Sequence, residues 1–111
     1  MKLRSRYDEP PREASSIDGV IARHELQATS MGGDPYHEIR LLNDDREYIL
    51  YGGGWTEFLP GASVTLHSFE GFKTPHDDGP NNFYLDGIEV KTESGQVVTR
   101  VKRALDFVFE N

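Results

Sequence analysis

Four histidines and a glycine-tryptophan run are the residues of this chain whose types and spacing could do chemistry. His24, His37, His67 and His76 fall on four separate segments, none in a His-Glu-x-x-His arrangement, and the chain has no cysteine. A transition-metal centre needs three or four converging nitrogen or sulfur ligands, so no metal site is expected. His76-Asp77-Asp78 places an imidazole beside two carboxylates. Adjacent side chains seldom aim at one ion, and Asp78-Gly79-Pro80 is ordinary turn chemistry. Gly52-Gly53-Gly54-Trp55 frees the backbone for close approach to a ligand and adds an aromatic surface of the kind enriched at binding hot spots. No Gly-Lys-Ser/Thr follows, so it is not a phosphate loop. Trp55 fits two roles, an exposed platform or a plug in the end of a barrel. Nothing resembles a nucleophile elbow, and no enzyme or cofactor is expected.

These groups must be positioned by strands. Val20, Ala22, His24 and Leu26 alternate with Arg23, Glu25 and Gln27, which predicts a half-buried strand from Ile17. Tyr36 to Leu42 turns His37, Ile39 and Leu41 inward against Glu38 and Arg40. The turn Asn43 to Arg46 leads back into Glu47 to Tyr51, so the pair reads as a hairpin. A turn at Phe58-Leu59-Pro60-Gly61 leads into Ala62 to Phe69, where Val64 and Leu66 face one side and Thr65, His67 and Phe69 the other. The polar connection Gly71 to Asn82 precedes a fifth strand, Phe83 to Thr92, with Gly87 as a bulge. Val97, Thr99 and Val101 alternate as a strand, while Val97, Val101, Ala104, Leu105 and Val108 also fit a helical stripe, so residues 96–109 are compatible with either.

With 111 residues the chain is long enough for one core. Residues 1–15, with Pro10-Pro11 and mixed charges, read as a flexible arm, and residues 16–111 as a single β-barrel domain. Hydrophobic residues make up only 36%, which suits a small barrel with much surface for its core. No apolar run approaches the roughly 20 residues of a membrane span, and the N-terminus lacks the apolar stretch of a signal peptide. A cytoplasmic location is expected, with no membrane partner.

Residues 16–90 carry four basic side chains against thirteen acidic ones, net −9, within a whole chain of −7. Nucleic-acid affinity is largely neutralisation of phosphate by Lys and Arg, so an oligonucleotide would approach this body against its field. Tyr36, Tyr48, Tyr51, Trp55, Phe72 and Tyr84 could stack bases, but no basic groove is interleaved with them.

Pro60-Gly61-Ala62-Ser63-Val64-Thr65-Leu66 is similar to the Pro-Gly-x-x-Val-x-Leu opening of the fourth strand in many OB-fold barrels. Gly71 and Ile88-Glu89-Val90 add to the resemblance, which spans about residues 17 to 92. It implies a mainly β fold, a five- to six-stranded Greek-key barrel, here with a short C-terminal helix or extra strand. GGGWTEFL leaves room for only one turn where that fold usually carries a helix.

The resulting expectation is an adaptor, inhibitor or immunity-type module for a basic protein partner. Gly53, Gly54, Trp55 and Phe72 would supply the contact loop, and Asp44, Asp45, Glu47, Glu57, Asp77 and Asp78 the complementary charge. An oligonucleotide-binding barrel and a small-ligand or metal-binding enzyme are the alternatives.

Overall fold

The computed structural model describes residues 2–5, 14–28, 35–52, 56–69, 82–92, 94–102 and 107–110. They form nine strands and no helix: β1 (Lys2–Ser5), β2 (Ser15–Gln27), β3 (Tyr36–Leu41), β4 (Glu47–Tyr51), β5 (Ser63–Ser68), β6 (Asn82–Leu85), β7 (Gly87–Lys91), β8 (Val97–Lys102) and β9 (Phe107–Glu110). Seven of them make one open mixed sheet in the order β6-β4-β3-β2-β5-β7-β8, and β1 pairs with β9 as a separate ribbon. The expected Greek-key barrel of five to six strands is therefore corrected to an open sheet with more strands. Where a helix or a strand fitted residues 96–109, β8 and β9 are both strands.

β2 is the axis of the sheet. Its first half, Ser15 to Val20, pairs with β5, and its second half, from Ile21, pairs with β3. Between Ile21 and Arg23 the register slips, which makes Ala22 the extra residue of a bulge. The slip changes the phase read from the sequence. Ile21 is buried and Ala22 exposed, because the bulge lets both halves of one strand turn apolar residues inward while the strand passes from one pairing to the next.

The segment expected as one fifth strand is two. β6 runs parallel to β4, and β7 runs antiparallel to β5. Asp86 alone separates them. Its backbone N–H donates to the His67 carbonyl, and its carboxylate accepts from the Phe69 N–H at 2.6 Å, so the bend is held by hydrogen bonds to the end of β5. The core lies on the inner faces: Ile21, Ile39, Leu41, Tyr48, Leu50, Val64, Leu66, Leu85, Ile88 and Val101, closed by Phe58 from the β4–β5 connection. The Pro60-Gly61 turn forms as expected, with Gly61 at φ 90° in the left-handed region that glycine tolerates.

Within residues 1–15, Lys2–Ser5 form β1 and Ser15 opens β2. Leu3 of β1 is fully buried, and a methyl group built on Gly87 would lie 3.0 Å from Leu3 Cδ2 and 3.1 Å from Phe109 Cζ. The ribbon thus lies against the outer face of β7, where the bare glycine backbone allows it. Residues 6–13 of the expected arm lie outside the described residues.

Candidate functional site

The outer face of β3, β4 and β6 gathers three tyrosines. Tyr36 stands opposite Tyr51, with ring centroids 5.2 Å apart, and Tyr51 meets Tyr84 edge-on at 5.8 Å. Tyr51 is exposed, and Ile49 lies on the same face beside Tyr84. Next to the tyrosines on β2 and β3, like charges stand opposite each other: Glu25 against Glu38 and Arg23 against Arg40. Arg23 also reaches Glu47 at 3.5 Å. Burial raises the pKa of Glu38, and the neighbouring carboxylates of Glu47 and Glu25 raise it further. Opposed like charges cost the sheet a few tenths of a kcal/mol or more, so this rung is kept at some expense to the fold.

The other acidic residues expected to meet a partner have different surroundings. Asp44 is engaged inside its own turn. Arg46 donates to it from the backbone N–H at 3.0 Å, from Nε at 2.9 Å and from Nη2 at 2.9 Å, and the Tyr48 hydroxyl donates at 2.6 Å. The Arg46 guanidinium foremost, with the Tyr48 hydroxyl, holds the Asp44 carboxyl at about 2, below its ordinary 3.8. Asp45 and Glu57 are exposed. Gly53, Gly54, Trp55, Phe72, Asp77 and Asp78 lie outside the described residues.

The Asp44 lock predicts a pH-dependent contribution to stability. A depressed carboxylate pKa stabilises the fold fully above about pH 3.8, and the contribution is lost as pH falls through about 2. Asp44→Asn is expected to cost about 1–2 kcal/mol at pH 7 and much less near pH 2, measured by urea unfolding at both values. Equal cost at the two values would mean that the ionised carboxylate is not what holds the turn.

Two histidines on the inward phase of their strands, His24 and His37, meet each other. His24 Nε2 and His37 Nδ1 are 2.8 Å apart, the rings stack, and Phe58 packs edge-on against both. The Phe58 backbone N–H donates to His24 Nδ1, so that nitrogen is an acceptor and His24 is held neutral. Burial lowers the His24 pKa accordingly, opposed in part by Glu57. Phe58, which follows the glycine run in sequence, is a buried aromatic of this cluster. Its place two residues before Pro60 was the only sign of it in the sequence.

A second polar constellation lies on the outer face of β2, β5 and β7. Ser16 Oγ is 3.0 Å from His67 Nδ1, and His67 Nε2 is 2.7 Å from Glu89 Oε1. His67 and Glu89 are almost fully buried, while Ser16 is exposed. Antiparallel pairing brings them together, since Ser16 stands opposite His67 and Glu89 opposite Thr65, one rung along. Ser16, Asp18, Thr65, His67, Glu89, Lys91 and Val97 line a cavity of about 300 Å³. Thr65 Oγ1 donates to Asp18 and Lys91 Nζ reaches the same carboxylate at 3.3 Å. These two bonds, Thr65 first, lower the Asp18 pKa. The alternation of Thr65, His67 and Phe69 placed His67 off the core face. Ser16 and Glu89 carried no signal, because their meeting depends on register across strands far apart in sequence.

Among the described residues no group of three or more His, Cys, Asp or Glu side chains could hold a metal ion, and no helix is long and apolar enough to cross a membrane. Comparison with protein-family models, curated proteins and solved structures finds no match to this chain.

Proposed function

We propose that the protein is an interaction module of OB-like architecture that receives a basic segment of a partner protein on the tyrosine-bearing face of β2, β3, β4 and β6. The strand order supports the architecture. β2 is shared between β3 and β5, β4 and β6 run parallel, and the bent segment β6–β7 returns from β4 to β5. A partly open Greek-key barrel of the OB type has this plan and binds its ligands on the face of its second and third strands, here β3 and β4.

The observation that carries the reading is the Glu25–Glu38 rung beside Tyr36, Tyr51 and Tyr84. A lysine or arginine laid across the rung would relieve its repulsion, and the tyrosine faces attract the same cation and pack its aliphatic stem. The net −9 of residues 16–90 favours such a partner's approach. Gly53, Gly54 and Trp55 follow Tyr51 almost directly in sequence and would extend the contact. The same tyrosines could stack bases, but the carboxylates repel phosphate.

The test is titration with a Lys/Arg-rich peptide, an acidic control peptide and a single-stranded oligonucleotide. Only the basic peptide is expected to bind, more weakly as salt rises. Tyr51→Ala is expected to weaken binding about tenfold, as truncation of an aromatic anchor does. Glu38→Gln should weaken it severalfold while raising stability by about 0.5 kcal/mol, since it removes a like-charge pair. Binding that both substitutions leave unchanged, or a preference for the oligonucleotide, would overturn the proposal.

A further inference from the structure

The Ser16–His67–Glu89 array belongs to the other side of the sheet and plays no part in that reading. Glu89 accepts from His67 Nε2, so the imidazole carries its proton there and presents Nδ1 as an acceptor to the Ser16 hydroxyl. The second Glu89 oxygen lies 3.8 Å from Arg100 Nε, which keeps the first turned toward the ring. Phe109 of the terminal ribbon packs edge-on against the imidazole at 5.6 Å and excludes water from one side. A hydroxyl, a base that receives its proton and a buried carboxylate that orients the base are the parts of an activated serine nucleophile, recognised by geometry and roles rather than by sequence order. The hydroxyl is also reachable, since Ser16 is exposed and opens on the cavity.

We infer that Ser16 is a nucleophile for acyl transfer, acting on small carboxylic esters that fit the cavity of about 300 Å³. Ser16 Oγ bonds to the ester carbonyl carbon as its proton passes to His67 Nδ1. The tetrahedral adduct then breaks its bond to the alcohol oxygen, which leaves with that proton. Water attacks the acyl-serine next and gives a proton to the same nitrogen. Collapse releases the carboxylic acid and returns the proton to Ser16, so ester and water become acid and alcohol. Lys91 lines the same cavity, and its hold on the exposed Asp18 at 3.3 Å is loose enough to exchange for the developing oxyanion. Glu89 is a positioning residue, because it acts through His67.

The experiment uses the full chain and a small fluorophosphonate, followed by mass and peptide mapping, with release of nitrophenol from nitrophenyl acetate in parallel. Ser15, the neighbour on the same strand, is the internal control. The expected result is a single adduct on Ser16, with Ser15 unlabelled and no labelling of the chain in denaturant. His67→Gln should slow labelling about a hundredfold or more, the usual scale of general-base assistance. Glu89→Gln, whose amide oxygen can still accept from Nε2, should slow the maximal rate about tenfold or more at an unchanged half-saturating concentration. A merely structural carboxylate would not separate rate from affinity in this way. No adduct, equal labelling of Ser15 and Ser16, or an unchanged rate in folded Glu89→Gln would overturn the assignment. The comparison of Ser15 with Ser16 in the wild-type chain decides it even if either buried substitution prevents folding.

Discussion

Leu66→Ala is expected to destabilise the protein by about 3–4 kcal/mol, the largest effect of any single truncation considered for this fold. Leu66 is fully buried at the centre of β5, which pairs with β2 on one side and β7 on the other, and it stands opposite the equally buried Ile88. Removing its branched end costs the transfer of the lost methyl groups and leaves a cavity that two hydrogen-bonded neighbours cannot collapse to fill. A domain of this size has about 5–15 kcal/mol in total, so the variant should unfold at a far lower urea concentration with an unchanged slope. Val98→Ala is the control, since Val98 is 57% exposed on β8 and should shift stability by no more than about 0.5 kcal/mol. A cost below about 1.5 kcal/mol for Leu66→Ala would place that side chain outside a close-packed core.

The second large effect is expected at Gly87, where the terminal ribbon meets the sheet. A methyl group there already meets Leu3, Phe109 and the Val101 carbonyl oxygen at 3.0–3.1 Å, and the last of these is backbone tied into the β7–β8 ladder. Gly87→Val therefore has to displace the ribbon. The expected cost is about 1–3 kcal/mol, in the range of overpacked cores. Hydrogen exchange should show where it falls: amides of Lys2–Ser5 and Phe107–Glu110 should lose protection while those of β3 and β4 keep theirs. Unchanged protection of the ribbon would mean that it does not rest on Gly87. Phe109 flanks His67, so the same substitution should also alter fluorophosphonate labelling of Ser16.

The two faces ask different things of the same strands. The tyrosine face is built from neighbours in sequence, because β3 and β4 are a hairpin with Tyr36 opposite Tyr51. The nucleophile array is assembled from β2, β5 and β7, with Ser16 and His67 51 positions apart in sequence and His67 and Glu89 22 apart. Neither is a loop site, so both inherit the rigidity of ladder pairing, which holds side chains in fixed register.

Period-two alternation was enough to read the strands β2 to β5. Val64 and Leu66 are buried as their phase requires, His37, Ile39 and Leu41 line the inner side of β3, and the Pro60-Gly61 turn precedes β5. Local chemistry decides these features, since each depends on residues two to four apart. The sequence could not place Ala22, because a bulge reverses the phase only when two different partners compete for one strand. Nor could it show that Leu3 is buried, since four apolar-poor residues gain their ladder from β9 at the far end of the chain and their cover from β7. The histidines were legible as residues but not as chemistry. His24 and His37 were readable as inward-facing, whereas the partners of His67 come from strand order, and order is settled by which apolar faces close over the core together. Charge was determined by composition alone. Where that charge is opposed, locked in a turn or set behind an imidazole was decided by the tertiary structure, because only pairing across distant strands sets the distances at which carboxylates, imidazoles and hydroxyls act on one another.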